Sequence, residues 1–197
     1  MIEVDRLWLD ALQDVMGRAA HEVKDSLNGV SLNLEVIRSR TARSGADNQT
    51  LAVFSTAALE QLELLSLRTE AVLFLTRQGR EPADIALTLR HLASLLIPAA
   101  KADGNRLSVE GYQTSAPTAA PVSATRLALA AGLLALTNER GAGRCTLEAG
   151  AETVVRFSHE SASPLGLESS IASAIAEHSI RNDRSGADLI LVFPGQL

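Results

Sequence analysis

At 197 residues the chain is long enough to bury a hydrophobic core without covalent staples, and its one cysteine, Cys145, excludes an internal disulfide. A net charge of −5 with eighteen scattered basic residues argues against a nucleic-acid partner, which calls for a basic patch or stripe. Met1 to Asp10 is acidic and mixed rather than a leader, and the longest apolar run, Leu127 to Leu136, is ten residues, too short to span a bilayer; a cytoplasmic protein with no membrane partner is expected.

The first predicted element is a long helix from Val4 to Arg43. Apolar residues at Val23, Leu27, Val30, Leu34 and Ile37 follow the four-three rhythm of a coiled-coil seam. Ala20, Met16, Leu12 and Leu9 continue the stripe backwards, but two successive gaps of four make a stutter beside His21. His21 lies off the seam, so its ring is expected on the outer face. Lys24, Asp25, Asn28 and Leu32 share its azimuth, and a leucine pointing at water there suggests a docking surface.

Thr41 to Asn48 has the composition of a turn, with Asp47 or Asn48 as a cap. A second helix follows with Leu51, Phe54, Ala58, Leu62, Leu65, Val72 and Leu75, ending near Gln78-Gly79, and the pair reads as a helical hairpin. Leu59, Leu62, Leu64, Leu65, Leu67 and Leu73 cover more of its circumference than one partner helix can bury. A four-helix bundle made by two chains is expected; coverage by the rest of the chain is the lesser alternative.

From Glu81-Pro82 onward the pattern changes. Ala83 to Ala102 reads as a helix, Asp103-Gly104-Asn105 as a turn, and Arg106 to Glu110 as a strand. Thr114 to Pro121 is a loop and Ser123 to Asn138 an apolar helix. Strands at Arg144 to Glu148 and Thr153 to Ser158 form a hairpin, followed by a short helix, Ser169 to His178, and a last strand, Ala187 to Phe193. The order describes a small α/β sandwich with helices on one face of a mixed sheet. Asp183 to Gly186 reads as a turn, Cys145 as a buried inert thiol, and His91, His159 and His178 lack metal-ligand spacing.

His21-Glu22-Val23-Lys24-Asp25-Ser26-Leu27-Asn28-Gly29-Val30 resembles the phosphoacceptor motif of two-component sensor histidine kinases. That motif runs His-Glu, aliphatic, basic, Asn or Thr, Pro-Leu, small or amide, any residue, aliphatic. Asp25 and Ser26 depart from it. The resemblance implies a dimeric helical stem with His21 as the phosphorylated nucleophile and Glu22 as an orienting or proton-accepting neighbour. Lys24, Asp25, Asn28 and Leu32 then form the partner-binding face. With no sensory segment ahead of this helix, the signal is expected to come from another protein.

The second region is similar to the ATP-binding domain of the same kinases, without its ligands. On the matching helix the family's metal-holding asparagines read Leu133 and Thr137, with Asn138 one place out of step. His159-Glu-Ser-Ala-Ser-Pro164 stands where the family has Asp-x-Gly-x-Gly. Ile180 to Gly186 offers one glycine, no lysine follows Lys101, and the segment between these stretches is too short for a nucleotide lid. ATP is not expected to bind.

The fold class is therefore expected to be α+β: a hairpin unit, 1–79, forming a dimeric four-helix bundle, then a degenerate ATP-binding-like sandwich, 80–197. The function expected is histidine phosphotransfer between aspartates of response-regulator receiver domains, with a hybrid histidine kinase as a further partner. There would be no resident cofactor, magnesium arriving with the receiver. A divergent ATP-dependent kinase and a non-catalytic dimeric scaffold or inhibitor are the alternatives.

Overall fold

A computed structural model describes residues 2–42, 48–77, 82–161 and 163–195. Two long helices, α1 (Ile2–Thr41) and α2 (Asn48–Thr76), form an antiparallel hairpin. The residues expected to turn between them, 43–47, and the expected Gly79 cap and Glu81 lie outside the described residues. There follow β1 (Ala83–Asp84), α3 (Ile85–Ala102), β2 (Arg106–Glu110), β3 (Pro117–Thr118), α4 (Val122–Asn138), β4 (Ala142–Glu148), β5 (Thr153–His159), α5 (Ser169–Ala176), β6 (Arg181–Ser185) and β7 (Asp188–Phe193). The class is α+β.

The main sheet has the order β2-β4-β5-β7-β6, with β2 and β4 parallel and the other pairs antiparallel. Alternation along the strands sends Cys145, Leu147, Val155, Phe157, Leu189, Leu191 and Phe193 to one buried face. The apolar sides of α3 and α4 cover it. Gly132 on α4 lies directly against the Phe157 ring, where any side chain would collide, so α4 sits close on the sheet. The opposite face carries ion pairs such as Arg144–Glu110 and Arg156–Asp188. Asp84 caps α3 by accepting from the Leu87 N–H at 2.9 Å.

Two expectations are corrected here. Asp183 to Ser185 is not a turn but part of edge strand β6; the turn is Gly186-Ala187, with Gly186 at φ 65°. An edge strand whose side chains mostly face water carries no apolar alternation to announce it. The other correction concerns the first half of α1. Leu9 is 57% exposed and Ala20 is exposed, while Val4, Trp8, Ala11, Val15 and Ala19 are buried with Leu12. The stripe is rotated because this half packs against the sandwich helices α3, α4 and α5 rather than following the hairpin seam.

The sandwich thus does fold back on the hairpin, but only over the first half of α1 and the end of α2, where Ala71 and Leu75 are fully buried. One buried guanidinium marks the joint. Arg126 of α4 donates to the carbonyl oxygens of Phe74, Leu75 and Arg77 at 2.8, 3.1 and 2.6 Å, satisfying the last carbonyls of α2 where the helix dipole is negative. It lies over the Phe74 ring, which in turn stacks on His91 of α3 at 4.3 Å. α2, α3 and α4 are pinned at a single point.

Leu27 and Leu34 of α1 and Leu59 and Leu62 of α2, further down the hairpin, remain exposed, as does Leu73 on the other side of the covered end of α2. By length and composition alone α2 and α3 could each cross a bilayer; α3 is mostly buried in the protein and α2 is not.

Candidate functional site

On α1 beyond the sandwich, the sides of the helix separate cleanly. Glu22, Ser26, Gly29 and Asn33, spaced by four, three and four, turn toward α2. Gly29 lets the Gln61 side chain of α2 approach so closely that a Cβ would meet its Cγ at 3.3 Å. His21, Lys24, Asp25 and Asn28 are exposed, as is Leu32 at 66%. The structure therefore gathers these five on one exposed side, while the partly buried Glu22 turns toward α2.

Glu22 belongs to a cluster that the sequence did not disclose. Arg68 of α2, only 7% exposed, donates through Nη1 to the Glu22 main-chain oxygen at 2.7 Å and to the hydroxyl of Ser26, and through Nη2 to Glu22 Oε2 at 3.3 Å. Ser26, a departure from the motif when judged by sequence, is 3% exposed and is an acceptor in this cluster. A buried guanidinium so satisfied is stable only while its partners are in place. It fixes the pitch and rotation of α1 at the residue following His21. One signal was available: Arg68 is the only basic residue in the twenty-nine of α2.

His21 stands at a crevice of about 310 Å³ between α1 and the end of α3, lined also by Gly17, Arg18, Glu22, Ala99, Ala102 and Asp103. Arg18, one turn before His21, donates from Nη2 to Asn138 Oδ1 of α4 at 2.6 Å. Asn138 thus reaches α1, whereas Leu133 is fully buried in the core and the Thr137 hydroxyl donates to the Leu134 carbonyl of its own helix at 2.9 Å. At the other family positions, His159 Nδ1 accepts from the Ser161 N–H at 3.0 Å, and residues 181–185 are strand β6.

α3 runs along the same side of the hairpin as His21. It borders the crevice, and with Leu64, Leu67 and Glu70 of α2 it encloses a second cavity of about 570 Å³ that includes Arg90, His91, Ile97 and Tyr112. Leu62 is two residues, about 200°, round α2 from Leu64. The exposed leucines Leu62 and Leu73, eleven residues apart and so on one azimuth, consequently face away from the His21 side. A larger cavity of about 620 Å³, beside Trp8, Arg77 and Ser123, lies two or more turns of α1 before His21. Among the described residues no three His, Cys, Asp or Glu side chains converge as a metal site.

Burial, followed by the Arg90 charge and to a lesser degree that of Arg126, holds the His91 imidazole below its ordinary pKa, with Glu70 pulling the other way. Burial also pushes the Cys145 thiol well up, as for an inert core residue.

No protein-family model matches this chain, and no curated protein does. Among solved structures the chain is similar to a bacterial phosphotransferase, with 14% identity, a TM-score of 0.39 and coverage of 93% of this chain and 95% of that one. It is also similar to the Acinetobacter baumannii histidine kinase AdeS, with 14% identity, a TM-score of 0.35 and coverage of 87% and 95%. Neither likeness is close enough to assign a residue.

Proposed function

We propose that the chain is a histidine phosphotransferase acting between receiver domains, with His21 as the relay residue. The neutral imidazole attacks the phosphorus of a receiver's aspartyl phosphate. A nitrogen–phosphorus bond forms as the phosphorus–oxygen bond breaks, the aspartate leaves as carboxylate, and the surplus ring proton passes to water. A second receiver aspartate then reverses the step. Magnesium would be carried by the receiver.

The observation that carries this reading is the division of labour around one helix turn. The His21 ring is exposed beside a crevice, and the residue behind it is clamped from the opposite helix by Arg68. Rigid backing for an exposed nucleophile is what transfer between two docked proteins requires. Glu22, tied to Arg68, acts here as a positioning residue. Lys24, Asp25, Asn28 and Leu32 would form the receiver-docking side, and the opposite apolar side of the hairpin would be covered by a second copy.

The sandwich acts in this reading without ATP. Leu133 and Thr137 are spent on packing and an intrahelical bond, and Asn138 on Arg18. One observation favours the scaffold alternative: exposed Asp25 lies one turn from His21, where its charge opposes a phosphoryl group. Incubation with phosphorylated receivers decides, with wild type becoming labelled and His21→Ala not. Wild type and variant behaving alike would leave the scaffold reading; micromolar binding of an ATP analogue would restore the kinase reading.

A further inference from the structure

We infer that Arg18 is a second working group of the His21 site, a guanidinium that grips the transferred phosphoryl group, and that the sandwich contributes by holding it in place through Asn138. The inference rests on the phosphotransfer reading and deepens it.

Residues three apart on a helix are side-by-side neighbours, and Arg18 and His21 line the same crevice. The Arg18 partner is an amide oxygen, which orients the guanidinium without cancelling its charge. Among the described residues no carboxylate forms an ion pair with it. Of the acidic side chains at the crevice, Glu22 is taken by Arg68, leaving Asp103. One Nη2 contact occupies part of a five-donor fork, and the rest suits phosphate oxygens.

The site needs such a cation. A phosphohistidine at position 21 is doubly negative, sits mid-helix where no free backbone N–H groups face it, and has Asp25 one turn further on. Arg18 lies one turn on the other side and offsets that repulsion. Asn138 is the final residue of α4, so the helix's negative end also favours a cation there. The helix that resembles a nucleotide-binding element thus braces the relay site from 120 residues away.

The test uses the full chain and two phosphoryl donors. Phosphoramidate, a small donor that transfers its phosphoryl group with loss of ammonia, labels accessible histidines without any receiver; a phosphorylated receiver is the protein donor. Removing a charge-assisted contact should slow phosphoramidate labelling of His21 by about tenfold in Arg18→Gln. Arg18→Lys should recover part of the rate and Asn138→Ala should lose about threefold, as the fork is unsteadied. With the receiver, kcat should fall and KM should hold.

Labelling of Arg18→Gln at the wild-type rate overturns the inference. So does wild type that phosphoramidate cannot label, or a loss in all three variants that merely follows their melting temperatures. Arg18-dependent labelling by phosphoramidate, with no transfer from any receiver, would remove the relay reading and leave Arg18 standing.

Discussion

Arg68 and Glu22, forty-six residues apart, are joined twice: the guanidinium donates to the main-chain oxygen at 2.7 Å and to the carboxylate at 3.3 Å. The contact couples the fold of the hairpin to the setting of His21. Arg68→Ala would leave the partly buried Glu22 carboxylate and the buried Ser26 hydroxyl without their donor, at a cost of about 2–3 kcal/mol. Urea unfolding measures the loss, and a drop under 1 kcal/mol would show the cluster to be dispensable. Arg68→Met combined with Glu22→Leu should recover most of that stability, because no charge is then left uncompensated, yet it should still slow transfer to His21.

The Arg126 guanidinium makes a parallel case at the joint between hairpin and sandwich. Arg126→Met keeps much of the volume but abandons three carbonyls at the end of α2, and should destabilise by roughly 3 kcal/mol or more. Loss of hydrogen-exchange protection in the last two turns of α2, ahead of global unfolding, would locate the effect.

His91 gives the protein a pH dependence of calculable sign. Its folded pKa lies below the unfolded value of about 6.5, so between the two the unfolded chain binds more protons. The neutral ring costs nothing above pH ~6.5. Stability should fall as the pH drops from there toward the lowered folded value, since folding must then strip a proton from a ring that becomes buried. His91→Phe retains the stack and should flatten that part of the stability profile; an unchanged slope would show that another group is responsible.

The exposed leucines predict an assembly. One chain has a mass of 20.8 kDa, and light scattering should give twice that, about 41.6 kDa, for a two-chain stem. Leu34→Glu with Leu62→Glu should yield folded 20.8 kDa monomers, because charges on that side oppose pairing without touching the sandwich core. A monomeric wild type at micromolar concentration would end this expectation.

Periodicity made the four long helices legible, because each has to bury one side and its spacing records which. The β4–β5 hairpin was legible for the same reason, its alternation matching the buried face of Cys145, Leu147, Val155 and Phe157. Strand β6 was not, since Arg181 to Ser185 is held by backbone pairing to β7 and its side chains mostly stay in water. Neither was the rotation of the first half of α1: the same helix answers to two different partners along its length, and a single stripe cannot describe both.

By itself the sequence determined the long helices, the β4–β5 hairpin and the exposed string from His21 to Leu32, all of which follow from local spacing on single helices and strands. Tertiary structure alone decided what stands behind and beside His21. The Arg68–Glu22–Ser26 cluster and the Arg18–Asn138 bond join residues 42 to 120 positions apart. Polar groups like these leave no periodic trace, because they are selected by the one partner that satisfies them after folding rather than by the common preference of apolar side chains for the core.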